Sequence, residues 1–391
     1  MEKEITRQKI PFWRNIKVLN IFWQVLFVIL VVAVIYFFIQ NAINGLNRIG
    51  LKFGFSFLSS SANFPIGEKI LEYSPTNSYQ WALFVGFTNT LKVTIIGIFI
   101  STILGIVMGI ARLSNNWLAR SVSGVYVEIF RNTPVLVQIF IWYFAVFLTL
   151  PRIQDVTPIM GMYFSNRGLV FPWFSTTASI ITWLIVVSIA LFVGRYVWKK
   201  MMNKQLETGI NKYPTLWFLG CIGIFALLTF ILTKEGPVMI SRPEIEGVRF
   251  IGGLRFTPEF AAILFGLVFY TASYITEIVR GGILSVQKGQ IEAAKALGLS
   301  DFKILRFITF PQAIRTIIPP VTSQYLNLAK NSSLAVAVGY PDLFSVGNTV
   351  LNQSGKAIEV ILIMLIVYLS ISLITSLIMN IYNNATRLVE R

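Results

Sequence analysis

The sequence predicts an all-α, polytopic membrane protein with about eight transmembrane helices, and three observations carry that expectation. Of 391 residues, 55% are hydrophobic and only 13% charged, with a mean hydropathy of +0.70, whereas soluble domains carry about a quarter charged residues. Apolar runs of roughly 20 residues recur along the chain, the length a helix needs to cross about 30 Å of hydrocarbon. One long stretch, Gln290 to Pro320, is amphipathic instead, and it marks where the chain must leave the lipid.

The first span is Leu19 to Ile39, interrupted only by Asn20 and Gln24. It is too long for a signal-peptide core and lacks a following small-residue cleavage site, so it reads as an uncleaved anchor. Gly45 to Tyr79 is polar and rich in turn residues. Further spans follow near 83–111, 133–150, 176–197, 216–233, 259–281, 318–338 and 357–384, the seventh interrupted by Lys330 and Asn331. Residues 1–82 thus form an N-terminal tail, anchor and outer segment. Residues 83–150 and 258–391 form two parts of a core, and 151–257 is an insertion with two extra helices.

An even number of spans puts both termini on one side. Twenty of the 33 Lys and Arg residues fall in the termini and the loops on that side, against ten in the opposite loops, which makes it cytoplasmic by the positive-inside rule. The net charge of +16 is spread over short loops rather than gathered on one face, so it argues for a membrane and against nucleic acid. Histidine is absent, which removes Ser-His-Asp chemistry and histidine-ligated metals. Cys221 lies in an apolar run and reads as a small core residue. No GxxxxGK[ST] sequence is present, so the chain does not cradle ATP phosphates in that way.

The amphipathic stretch reads as two short helices outside the bilayer. Ile291, Ala294 and Leu297 share one face, Gly298 can close the first helix, and Ser300 or Asp301 can cap the second. Phe302, Leu305 and Ile308 form a second apolar stripe. Glu292, Lys295, Asp301, Lys303 and Arg306 would be costly in lipid. The apolar faces must therefore be buried in a groove on another protein or against the ends of the chain's own helices.

Glu292, Ala293 and Ala294, then Gly298, then an apolar helix to Pro319 resemble the EAA loop of permease subunits of bacterial ABC importers. The resemblance favours the groove of another protein. It implies that residues 285–320 form a cytoplasmic coupling loop, with Glu292, Ala293, Ala294, Gly298, Leu299 and Asp301 touching an ATPase subunit.

Polar residues also interrupt the spans. Glu128 and Arg131, and likewise Glu277 and Arg280, are three apart and can neutralise each other on one helix face. Such a pair either fixes helix packing or lines a polar pathway; for the first pair, Asn132, Thr133 and Pro134 favour the pathway. Asn327, Lys330, Asn331 and Ser332 must face protein or water rather than lipid. Lys92 is read as a snorkelling side chain without a role.

Thr88 to Leu91, Tyr126 to Pro134, Tyr270 to Gly281 and Asn327 to Leu334, in that order with the EAA loop, resemble the polar amino acid uptake branch of these permeases. Phe53 to Phe57, Gly339 to Leu343 and the insertion are similar to general L-amino acid importers. The resemblance implies a permease in the bacterial inner membrane that carries L-amino acids into the cytoplasm. It also implies a second related permease subunit, two ABC ATPase subunits holding ATP and magnesium, and a periplasmic amino-acid-binding protein, with no catalytic group or cofactor in this chain. The competing class is a gradient-driven transporter or channel, with Glu128, Glu277 or Lys330 as a relay.

Overall fold

The computed structural model describes residues 16–48, 53–174, 178–233 and 240–386. Six helices are long and apolar enough to cross a membrane, or eight spans if each of two bent pairs is one crossing.

The first helix, α1 (Ile16–Arg48), buries none of its described side chains. The segment from Phe53 to Ser78 folds as a strap over the next helices, with Phe64, Ile66 and Tyr73 in a core shared with α2. Helix α2 (Tyr79–Arg112) starts at Ser78, whose hydroxyl accepts from the Trp81 amide, supplying one of the partners a helix start lacks. α3 (Trp117–Asn132) is capped by Asn116. α4 (Val135–Phe140) then continues as a π-helix through Phe147.

The third span, expected at 133–150, falls on α4 and its π-helix, but these are only 13 residues long and pass as apolar enough to cross a membrane only together with α3, from which they bend by 106°. Thr133, before Pro134, is held extended at φ −95° and ψ 128°, because the proline ring excludes helical backbone from the residue before it.

The insertion holds α5 (Ala178–Thr208) and α6 (Pro214–Thr233), which pack on each other. Its flanks carry short strands that hydropathy did not reveal: β1 (Tyr163–Ser165), β2 (Gly168–Phe171), β3 (Trp173–Phe174), β4 (Ile240–Ser241), β5 (Glu244–Glu246), β6 (Arg249–Ile251) and β7 (Leu254–Phe256). β1, β2 and β7 form one antiparallel sheet, with Leu169 opposite Phe256. The two ends of the insertion are thus tied together where α7 (Pro258–Leu284) begins.

α2 and α7 run side by side through a glycine seam. A Cβ at Gly105 would lie 2.5 Å from Ile275, and one at Gly109 2.8 Å from Val279; such close backbone approach is how membrane helices gain packing that lipid does not offer. α8 (Lys288–Ala296) follows outside the bundle.

The second short helix of the amphipathic stretch is not separate. α9 (Asp301–Ile304) passes through a π-turn (Leu305–Thr309) into α10 (Phe310–Asn331), then a 3-10 turn to Val338. Pro319 and Pro320 lie inside α10; surrounding helices and local adjustments re-satisfy the carbonyls that proline frees. The seventh span, expected at 318–338, is thus part of a longer helix. It breaks at Gly339 (φ +78°) and resumes, turned by 55°, as α11 (Leu343–Ser354). α12 (Ala357–Thr386) closes the bundle against α10 and α11.

Candidate functional site: the α8 loop and the polar positions of the core

α7 ends at Ser285, whose hydroxyl bonds Gly282 O at 2.7 Å. Val286 turns inward, and α8 then stands largely bare: Glu292 and Ala293 are exposed, while Ala294 is its one buried residue. Ile291 is half-buried, but Leu297, expected on the same buried face, is 80% exposed, and Phe302 is 69% exposed. Of the two coverings the sequence left open, the chain's own helices supply only part: Ala294 is buried and Ile291, Leu305 and Ile308 are half-buried, while Leu297 and Phe302 stay open among the described residues.

The end of α8 is a Schellman motif. The Leu299 amide donates to Ala294 O (3.2 Å) and the Gly298 amide to Lys295 O (2.9 Å), which satisfies carbonyls left over at a helix end. Gly298 has φ +73°, and a Cβ there would meet nothing within 4 Å. A side chain at this position is opposed by backbone conformation, not by a neighbour. Leu299 is half-buried, Ser300 takes the N-cap backbone geometry without a side-chain bond, and Asp301 lies in the first turn of α9, where a carboxylate favours the helix dipole. Lys295 and Asp301 approach to 3.8 Å, both well exposed.

The polar positions within the bundle divide into three groups. Glu277 bonds Arg280 at 3.0 Å, as their spacing predicts, and also Arg112 at the end of α2. Glu128 and Arg131 do not pair. Asn132 donates to Glu128 Oε2 at 3.1 Å, while the Arg131 guanidinium lies 5.4 Å from the Tyr274 ring centroid, a cation–π distance. The i,i+3 spacing permitted the ion pair, but closer partners took both groups. The Thr133 hydroxyl bonds its own helix at Ile129 O. In the third group Asn327 and Lys330 are exposed on this chain, Asn331 is half-buried, and Ser332 is buried with its hydroxyl on Ala329 O. Among the described residues no hydrogen bond or ion pair joins this group to Glu128 or Arg131.

Sequence reasoning missed one cluster. Lys92, read as having no role, lies 2.5 Å from Glu68 of the strap and 4.0 Å from the Phe260 ring centroid. Glu68 also accepts from Thr257, the N-cap of α7. Asn89 donates to the main-chain oxygens of Glu68 (2.8 Å) and Pro341 (2.9 Å). Glu68 sits in an irregular segment, so no helical spacing could announce its partner.

The family model for the binding-protein-dependent transport system inner membrane component matches residues 210–388. The chain is 44% identical to the general L-amino acid transport system permease protein AapQ of Rhizobium johnstonii, over 95% of this chain and 93% of that protein. It is 42% identical to a putative amino-acid ABC transporter permease protein, YhdX, of Escherichia coli, over 94% of each chain. It is 35% identical to the glutamate/glutamine/aspartate/asparagine transport system permease protein BztB of Rhodobacter capsulatus, over 94% of this chain and 93% of that one. Near-complete coverage at such identity, on a bundle of six to eight spans, makes this chain a multi-pass transport subunit that belongs to the inner membrane components of binding-protein-dependent transport systems.

Proposed function

We propose that the chain is the permease subunit of an ATP-driven importer that moves L-amino acids from periplasm to cytoplasm. The observation that carries the coupling half of this reading is α8, which holds Glu292 and Ala293 outside the bundle and is joined through Gly298 to a helix running unbroken from Asp301 to Val338. A helix presented this way suits a groove on a partner. A partner that binds one arrangement of the lever better than another shifts the whole span.

In this reading two cytoplasmic ATPase subunits bind and hydrolyse ATP with magnesium, and this chain contributes no catalytic group or cofactor. A periplasmic binding protein delivers the amino acid, and a second, related permease covers Asn327 and Lys330. The pathway is lined by residues drawn from Glu128, Arg131, Asn132, Thr133, Glu277, Arg280, Asn327, Lys330, Asn331 and Ser332, since polar side chains within a membrane bundle face water or protein rather than lipid. In this reading both termini and α8 lie in the cytoplasm, the side the Lys and Arg bias favours.

The test is reconstitution of this chain with its ATPase, partner permease and binding protein in proteoliposomes. ATP-dependent uptake of an L-amino acid that stops with a hydrolysis-dead ATPase is expected. Uptake by this chain alone under an ion gradient would overturn the proposal.

A further inference from the structure

The end of the bundle opposite α8 holds a cation that the proposed route leaves unused. Lys92 is on α2, one turn after Asn89, and its side chain is about one-fifth exposed. Its carboxylate partner is Glu68, and the other oxygen of Glu68 accepts from the Thr257 hydroxyl. Glu68 is held at its backbone by Asn89, so its carboxylate could leave Lys92 without release of the strap. Beside it lies a cavity of about 430 Å³ lined in part by Glu68, Arg255, Thr257, Glu259, Ser345 and Thr349. That size falls in the range of about 300–1,000 Å³ typical of small-molecule sites.

Resting on the reading of the chain as an amino-acid permease, we propose that Lys92 is an outer subsite for the α-carboxylate of a zwitterionic amino acid, and that Glu68 is a tethered carboxylate filling it when no substrate is present. Exchange of one carboxylate for another leaves the Lys92 ammonium neutralised throughout, so no uncompensated charge appears at membrane depth. The compact lysine ammonium, with three rotatable donors, suits such a hand-over better than a planar guanidinium would. The substrate ammonium faces Glu259, which lines the same cavity, so Glu68 acts only as the competing carboxylate. This subsite is centred on Lys92, at the outer end of α2, rather than on the Asn327–Ser332 group. Leu328 packs on Gly97, five residues beyond Lys92 along α2 and so about 7–8 Å further from the outer end.

The alternative is a structural ion pair that only fastens the strap, and charge-removing variants separate the two. The complete transporter is reconstituted with Glu68→Gln, Lys92→Gln or both, and uptake of radiolabelled L-glutamine and L-glutamate is measured beside the yield of assembled complex. With Glu68→Gln, assembly and uptake persist and the half-saturating concentration of loaded binding protein falls about threefold, because the competing carboxylate is gone. With Lys92→Gln, uptake falls about tenfold through loss of a charge-assisted bond, and the double variant stays equally impaired. Restored uptake in the double variant, or loss of assembly or uptake in Glu68→Gln, would overturn the subsite. Absence of ATP-driven uptake of any amino acid by the wild-type complex would instead sink the functional proposal on which the subsite rests.

Discussion

The strap and the α8 loop are both irregular excursions at the ends of the same helices, and they are built in opposite ways. The strap is stitched to the bundle: Asn89 holds the Glu68 carbonyl, the Gly54 amide donates to buried Glu359 at 3.0 Å, and Trp81 Nε1 donates to Glu72 O at 2.9 Å, while Tyr73 braces the strap itself through Phe64 O at 2.9 Å. The α8 loop spends its hydrogen bonds on its own turn and leaves one face bare. A segment that satisfies itself within the chain contributes to the permease's own stability, whereas one that ends in unburied apolar and charged side chains is completed by something else. Variants at the first should therefore change stability, and variants at the second should change coupling.

Gly298→Val is expected to have the largest effect. The left-handed backbone opposes a β-branched side chain by about 1–2 kcal/mol, and a loop biased away from its docked shape loses roughly 5- to 30-fold in productive coupling. Membrane abundance stays near normal, because the spans do not depend on this turn. ATP hydrolysis stimulated by loaded binding protein measures the loss. Gly298→Asn should recover most of it, since asparagine tolerates this conformation; a degraded Gly298→Val protein would break the distinction between the two regions.

Asn89→Ala acts at the strap and should act on stability first. Two buried carbonyl bonds are lost, at about 1 kcal/mol each, and the thermal midpoint of the purified complex should fall by a few degrees, about 2–4 °C per kcal/mol. Retained stability with lost stimulation by the binding protein would show that the strap, too, is a coupling element.

Glu292→Ala should weaken ATPase docking about two- to fivefold by removing a surface charge from the interface, read from retention of the ATPase during purification in rising salt. The effect should shrink as salt screens it. Lys295→Ala should change nothing measurable, because its contact with Asp301 is long and solvent-exposed; a clear loss would assign Lys295 a partner on the ATPase.

What the sequence made legible follows the same division. Hydropathy over a span of 20 residues is a strong local signal, so α2, α7 and α12 were found within a few residues. The left-handed turn at Gly298 was likewise found from a glycine at a helix end. The helix before Pro134, α3, was left out of the spans because it is amphipathic and its apolar side did not register as lipid-soluble, although the proline was noticed. The partners of Glu128, Arg131 and Lys92 were misread because helical spacing lists which neighbours are possible within one helix. It says nothing of a ring such as Tyr274 or a strap carboxylate such as Glu68 arriving from elsewhere.

The uninterrupted helix from Asp301 to Val338 has a mechanical consequence. At 1.5 Å per residue it is about 57 Å long, and its near end is tied to α8 by a four-residue turn while its far end meets the buried Tyr340 and Asp342. If it tilts as one body about one end, angle becomes travel: about 5° displaces the other end by about 5 Å. The far end stops two residues before Tyr340, whose hydroxyl donates to Asn89 O at 3.4 Å, so travel at the α8 end would be felt at the polar contacts beneath the strap.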